Sequence, residues 1–432
     1  MKKIVLGACL FVLATTEIHA QTPVNNQLKE LINLSFGYFP KLKEAQNAIF
    51  TAEDKVLLTE LNKLPNIGAQ LGYAYITPVS KATLPINGNN QEIKFIPNHN
   101  YNSTVNANYT IADFGRLKAS IERSKIDLQL AKDNIELIKN QVANQVATIY
   151  YNMVYLQKAI GIQDSVLLFL NENKKIVQTK ITNGEALKLD LLNIQANIDN
   201  EENKKIDLMN GLQKQQNLLT YTTGTSAKAG NSFDFDITKT TSNKALETSV
   251  TNNVEFKLAK DKVDQAVADI AIAKLQDKPM FNVNGAVGFK NGYLPDIYQF
   301  KLNSVAGVSL NIPLYMGSRN KQQIKLQGHL ATQQQLALSS LNANYKKDID
   351  QALLDIQTNI DRIGNTQGQI DLAKYAQQIA AVRFKNGVGT NLELTNASTN
   401  VQRAELNRLQ YQYQLCLAKL ELAKLMGTVY WQ

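Results

Sequence analysis

The chain has 432 residues, 44% of them hydrophobic, two cysteines and a formal net charge of +9. A disulfide framework is excluded, because Cys9 falls in an N-terminal segment that reads as cleaved and leaves Cys416 alone. The lysine surplus reads as solvated helix faces rather than nucleic-acid binding, since Lys204 and Lys205 mix with Asp207 and no basic stripe carries interleaved aromatics.

Residues 1–20 have the form of a signal peptide. Lys2 and Lys3 precede an apolar core over 4–14, and Ile18-His19-Ala20 offers a cleavage site before Gln21. Leu6-Gly7-Ala8-Cys9 faintly matches a lipoprotein site, but few apolar residues precede Cys9 and the apolar core runs past it. No apolar run of eighteen or more follows, which reads as excluding a transmembrane helix and leaves transmembrane strands open.

Residues 21–65 read as helical, ending at Leu64-Pro65. The next segment, 66–111, contains two stretches of period two. In 66–76, Ile67, Ala69, Leu71, Tyr73 and Tyr75 alternate with Asn66, Gly68, Gln70 and Gly72; in 101–111, Tyr101, Val105, Ala107, Tyr109 and Ile111 alternate with Asn102, Thr104, Asn106, Asn108 and Thr110. Pro, Gly and Asn between them mark residues 77–100 as a loop. Residues 279–313 repeat the pattern: Phe281, Val283, Val287 and Phe289 oppose Asn282, Asn284 and Gly288, then Leu302, Ala306, Val308, Leu310 and Ile312 oppose Asn303, Gly307, Ser309 and Asn311. A soluble antiparallel sheet also alternates. The uncharged, Asn-rich minority face suits a wet lumen better, so the four stretches read as transmembrane strands, which cannot close a barrel without further copies.

Residues 112–278 and 314–432 hold the long helices. All nine prolines lie at or before 97 or between 279 and 313, so both tracts are free of a helix breaker. Leu128, Ile135, Val142, Ile149, Leu156, Gln163, Leu170 and Val177 recur every seventh residue with one polar member, and Val146, Met153, Ile160 and Leu167 form a second seam. Its counterpart 203 residues on is Ile349, Ile356, Ile363 and Ile370. Sevens sustained this long predict coiled-coil packing. Asn183-Gly184 and Asn386-Gly387 interrupt the two rods and predict helix reversals. Gly115 and Gly317 are 202 residues apart, and Gly184 and Gly387, like Gly224 and Gly427, are 203 apart, so the unit is written twice.

These residues resemble the TolC-like outer-membrane efflux proteins. The resemblance rests on Leu310-Asn311-Ile312-Pro313-Leu314-Tyr315-Met316-Gly317-Ser318-Arg319, on its counterpart Asp113-Phe114-Gly115-Arg116, and on Phe39-Pro40-Lys41-Leu42-Lys43-Glu44-Ala45. It implies an α+β membrane protein: a homotrimer contributing four transmembrane strands per subunit to a twelve-stranded barrel, continued by a periplasmic tunnel of antiparallel coiled-coil helices. Helices 21–65 would then be periplasmic, 66–111 would hold an extracellular loop, and 112–278 would comprise a hairpin, a linker and the first helix of the second repeat. The resemblance further implies a periplasmic adaptor, an inner-membrane pump and outer-membrane lipid as partners, no nucleic acid and no cofactor. At the tips it implicates Asn183, Gly184, Asp190, Asn193, Phe384, Asn386, Gly387, Gly389, Glu393 and Asn396, with Asp190 and Glu393 as constricting carboxylates. At the strand-to-helix junctions it implicates Asp113, Gly115, Arg116, Pro313, Gly317 and Arg319. The chain departs from better-studied members at Gly389, where they have Arg, at Asn396, where they have Asp, and at Phe384, where they have Tyr. Closure here is therefore expected to rest on packing and a carboxylate ring rather than a salt-bridge lock.

No enzyme is indicated: His99 and His329 are far apart, and Gly387-x-Gly389 lacks the third glycine of a dinucleotide loop. A secreted trimeric coiled-coil stalk would account for the heptads but not for two matched strand pairs. A stand-alone porin would account for the strands and leave the rods unexplained.

Overall fold

The computed structural model describes residues 25–86 and 89–432, so the signal-peptide reading and Cys9 lie outside it. The strands are β1 (Asn66–Tyr75), β2 (Lys81–Ile86), β3 (Asn89–Lys94), β4 (His99–Ala112), β5 (Met280–Lys290) and β6 (Lys301–Asn311). The helices are α1 (Asn26–Tyr38), α2 (Pro40–Leu61), α3 (Arg116–Thr182), α4 (Lys188–Thr223), α5 (Ser242–Asn252), α6 (Val254–Leu275), α7 (Arg319–Lys385) and α8 (Asn391–Leu425). They fall into two compact units, one of residues 25–39, 140–252 and 345–432 and one of residues 40–86, 89–139 and 253–344.

The second unit contains the sheet. Its order is β1-β4-β5-β6, every pair antiparallel. The register keeps the polar residues on one face: Gln70 lies opposite Thr104, Asn108 opposite Asn284, and Thr110 opposite Asn282, to whose Oδ1 it donates at 2.8 Å. A one-residue slip would put this whole set on the apolar face, so the alternation fixes the pairing. The sheet is open, with one edge of β1 and one of β6 unpaired among the described residues. Residues 77–100 are not simply a loop as their composition suggested, because β2 and β3 pair there as a separate two-stranded ribbon.

In the first unit, most seam residues are buried, while Leu156, Ile160, Leu167, Ile356 and Ile363 are half-buried. Val142, Val146, Ile149, Met153, Leu170, Val177, Ile349 and Ile370 are buried. Gln163, the polar member of the seam, is buried too; its Nε2 donates to Glu201 Oε2 at 2.6 Å, and Gln402 Nε2 donates to the same oxygen at 2.9 Å. Burial raises the Glu201 pKa, but hydrogen bonds from Lys204, Gln163 and Gln402 outweigh it and hold the carboxyl below its usual range. Beside the seams, Tyr150 and Tyr151 are fully buried: the Tyr150 hydroxyl accepts from Gly230 N at 2.9 Å, and that of Tyr151 donates to Asp234 at 3.0 Å. Cys416 is buried nearby, its thiol pushed up to about 12 by desolvation.

α3 and α7 are each 67 residues long, about 100 Å at 1.5 Å per residue. One 18-residue window of α3 reaches a mean hydropathy of 1.2, enough for a membrane span by length and composition. Composition therefore does not exclude a transmembrane helix, contrary to the sequence reading. The buried seam residues of α3 show its apolar stripe packed against protein.

Within the second unit, Asp261 of α6 approaches Asp133 of α3, and Asp261 Oδ2 is buried without a hydrogen-bond partner. Desolvation first, then Asp133 and Asp264, push the Asp261 carboxyl up to about 6 against the pull of Lys260. A folded-state pKa raised above the unfolded one contributes stability below the ordinary carboxylate range, and that contribution is lost as pH rises through about 6. Asp133→Asn is therefore expected to raise the thermal unfolding midpoint in detergent at mildly alkaline pH and to leave it nearly unchanged under acid. An equal effect at both would show that the two carboxyls are not coupled.

Candidate functional site

Each helical hairpin reverses through a glycine in the left-handed region. Gly184 has φ 75° and its N–H bonds Ile181 O at 3.0 Å; Glu185 N then bonds Lys180 O at 2.7 Å, closing the end of α3. At the second tip Gly387 has φ 77°, and Val388 N and Gly389 N both bond Arg383 O, at 3.0 and 3.1 Å. A Cβ on Gly389 would lie 3.0 Å from Arg383 Cβ and 3.1 Å from Phe384 N. A side chain there would need the neighbouring turn to give by a few tenths of an ångström.

The helices then restart with acidic first turns. Asp190 Oδ2 accepts from Leu187 N at 3.2 Å, and Glu393 N bonds the Thr390 hydroxyl at 3.2 Å. A negative charge at a helix N-terminus is favourable by about 0.3–1 kcal/mol. Glu393 also stands 3.9 Å from Arg383 Nε. Both carboxylates thus have local partners, and the structure does contain an arginine beside Glu393, supplied by Arg383 rather than position 389.

Between the hairpins, Phe384 is buried with Leu170, Val177, Ile194, Ile198 and Leu394. Lys180 Nζ lies 5.5 Å from the centre of the Phe384 ring and 3.5 Å from Glu185. Where a tyrosine would donate a hydrogen bond, the phenyl ring receives a cation over its face. Asn173 Nδ2 donates to Asn391 Oδ1 at 2.9 Å, both residues buried. The sequence reading missed Lys180, Asn173, Asn391 and Leu394. Asn183, Asn193, Asn386 and Asn396, which it named, are exposed and have no side-chain partner among the described residues.

The junctions repeat one backbone device. Phe114 and Gly115 have φ 54° and 97°, and Gly317 and Ser318 have φ 59° and 61°. A positive φ on Phe114 is costly, and it occurs where strand must turn into helix. Asp113 stabilises the first turn by accepting from Gly115 N at 3.0 Å and Leu117 N at 2.5 Å. Arg116 clamps the end of α6, with Nε on Leu275 O at 2.7 Å, Nη2 on Gln276 O at 2.8 Å and on Lys278 O, and Nη1 on Met280 Sδ at 2.8 Å. Its counterpart Arg319 is exposed without a side-chain partner among the described residues; Leu314 and Tyr315, after Pro313, are 91% and 88% exposed.

A family model described as outer membrane efflux protein matches residues 31–225 and 245–428. The chain belongs to the outer membrane efflux protein family. It is accordingly an outer-membrane channel protein that extends into the periplasm. The family consists of transport ducts rather than enzymes. No curated protein matches the chain. Among solved structures, the fold is similar to the outer membrane protein VceC from Vibrio cholerae, with 16% identity and a TM-score of 0.77, covering 94% of this chain and 100% of that one. It is similar to the Campylobacter jejuni CmeC outer membrane channel, with 15% identity, a TM-score of 0.75 and coverage of 99% and 94%. The open state of the Neisseria gonorrhoeae MtrE outer membrane channel aligns with 19% identity, a TM-score of 0.74 and coverage of 94% and 90%. Among the described residues, no group of three or more His, Cys, Asp or Glu is arranged to hold a metal ion.

Removing the Phe384 ring from its cluster should cost about 3–5 kcal/mol of local packing. Phe384→Ala is expected to speed amide hydrogen exchange around residues 176–198 and 380–398 while the strands keep their protection. Unchanged exchange at the tips would show that the ring does not join the two hairpins.

Proposed function

We propose that the chain is one of three identical subunits whose sheets close a twelve-stranded barrel, forming the exit duct of an efflux or type I secretion assembly. The observation that carries this reading is the unpaired edge on each side of the sheet. Unsatisfied strand edges are not tolerated in lipid, so β6 must pair with β1 of another copy. The family's efflux role supports the duct over a stand-alone porin, and its strand pairs support it over a secreted stalk.

The two junction arginines support the same assembly. Arg116 binds the end of α6, the helix that leads into β5, and β5 is the neighbour of β4. By the internal repeat, Arg319 should bind the end of α2, which leads into β1, and the β1 beside β6 would belong to the next subunit. Arg319 and Tyr315 are exposed in one chain because their partner is a second copy. The tips close the duct at rest through the Phe384 cluster, with Asp190 and Glu393 standing at the constriction. A periplasmic adaptor and an inner-membrane pump open it. The Phe384→Ala protein is accordingly expected to conduct more than wild type in a planar bilayer.

Arg319→Ala is expected to lower the temperature at which the detergent-resistant oligomer dissociates, and an oligomer of unchanged heat resistance would remove Arg319 from the interface. For partners, the tight turn at Gly389 makes it a poor labelling site, whereas Val388 is exposed. Val388→Cys in a Cys416→Ala background, crosslinked in cells, is expected to recover a periplasmic adaptor. Recovery of self-crosslinks alone, with an adaptor-positive control working, would sink the tripartite reading.

A further inference from the structure

The polar face of the sheet carries charge at one level only. Along β1 it presents Asn66, Gly68, Gln70, Gly72 and Ala74; along β4, Asn102, Thr104, Asn106, Asn108 and Thr110. β5 adds Asn282, Asn284, Ala286 and Gly288, and β6 adds Asn303, Val305, Gly307 and Ser309. The four strands contain no carboxylate and two lysines, Lys290 and Lys301. These are cross-strand partners on the polar face, in the row that also holds Asn102 and Gly72.

Like charges directly opposite each other destabilise an antiparallel pair, so this placement needs a compensating reason. Local acids do not supply it. Among the described residues neither ammonium is in an ion pair; Lys301 Nζ donates only to the carbonyls of Tyr293 and Leu294, at 3.4 and 3.3 Å. Glu92 is paired to Lys81 at 2.8 Å, Asp296 turns its Oδ1 to Tyr298 N at 3.1 Å, and Lys94 adds a further positive charge beside Asn98. His99 lies on the opposite face against Tyr73, at 3.0 Å.

The lysine row also sits at a defined end. The helices join the strands at Asn66, Ala112, Met280 and Asn311, and Lys290 and Lys301 lie at the other end, which in this family faces outward. Lipid phosphates are the wrong partner, because the face turned to lipid carries Tyr73, Tyr101, Phe289 and Leu302 at this level, whereas the lysines share the polar side.

We propose that Lys290 and Lys301 form an anion-accepting mouth at the outward end of the duct, favouring export of solutes that carry negative charge. This rests on the trimeric duct reading, under which three copies bring three such pairs onto one ring. Above an otherwise uncharged barrel wall, a closed ring of ammonium groups attracts anions and opposes cations at that level of the duct.

The test uses the full-length protein in planar bilayers, with tripolyphosphate added to each side in turn. Wild type is expected to show voltage-dependent block from the barrel side, and K290Q/K301Q to raise the half-blocking concentration by about tenfold or more. K290R/K301R, which keeps the charge, is expected to retain the block. A block equal in wild type and K290Q/K301Q, or no block of a conducting channel, overturns the anion-accepting mouth while leaving the duct intact. Monomeric migration with no conductance overturns the duct reading and this inference with it.

Discussion

The constraint on which the rest depends is the satisfaction of strand-edge hydrogen bonds in a solvent that supplies none. Four strands with an apolar face and a polar face cannot stand alone in lipid, because β1 and β6 each expose a row of N–H and C=O groups. Water could satisfy those groups, but the alternating Tyr, Leu and Val residues on the outer face select lipid instead. The sheet therefore cannot be complete within one chain. Assembly follows from backbone chemistry before any side-chain contact between copies is considered.

A similar logic governs the helical unit, where specificity is the difficulty rather than satisfaction. Long seams of Ile, Leu and Val are tolerant of sliding by a heptad, since every register buries much the same surface. Buried Gln163 and Gln402, both donating to half-buried Glu201, are not tolerant: a shifted register would strip the carboxylate of these donors. The cost of burying Glu201 is offset by donors from three residues, which lower its pKa despite desolvation. Asn173 with Asn391 repeats the device close to the tips. Polar pairs thus set the register that apolar burial alone leaves ambiguous.

Much of this was legible in the sequence because it is periodic. Period two gave the four long strands within two residues of their ends, period seven gave seams of which the greater part is buried, and the Asn-Gly pairs gave the reversals. What was not legible depends on partners remote in sequence or on backbone groups. β2 and β3 are short, contain Pro85 and lack clean alternation, so their composition reads as loop. Lys180 looks like any exposed helix lysine until the second hairpin brings Phe384 under it, and Arg116 finds its partners, mostly carbonyls, some 160 residues away. At Gly389, where the sequence shows only a departure from the expected arginine, the turn geometry shows how tightly a Cβ would sit against Arg383 and Phe384.

The internal repeat also bears on how one chain would specify the proposed ring of subunits. Contacts between the first and second repeats are made inside the chain: β4 pairs with β5, and Arg116 clamps the end of α6. A second repeat that ends in the same strand, the same positive-φ turn and the same arginine presents the first half of that contact again, at β6, Ser318 and Arg319. Nothing among the described residues supplies the other half, while β1 and the end of α2 present it on the opposite edge. Such a head-to-tail interface closes into a ring when the rotation per repeat divides a full turn, and otherwise runs on as a filament. In the proposed ring one copy of the interface would already be built covalently between β4 and β5, so the rotation that closes it would be set within the chain.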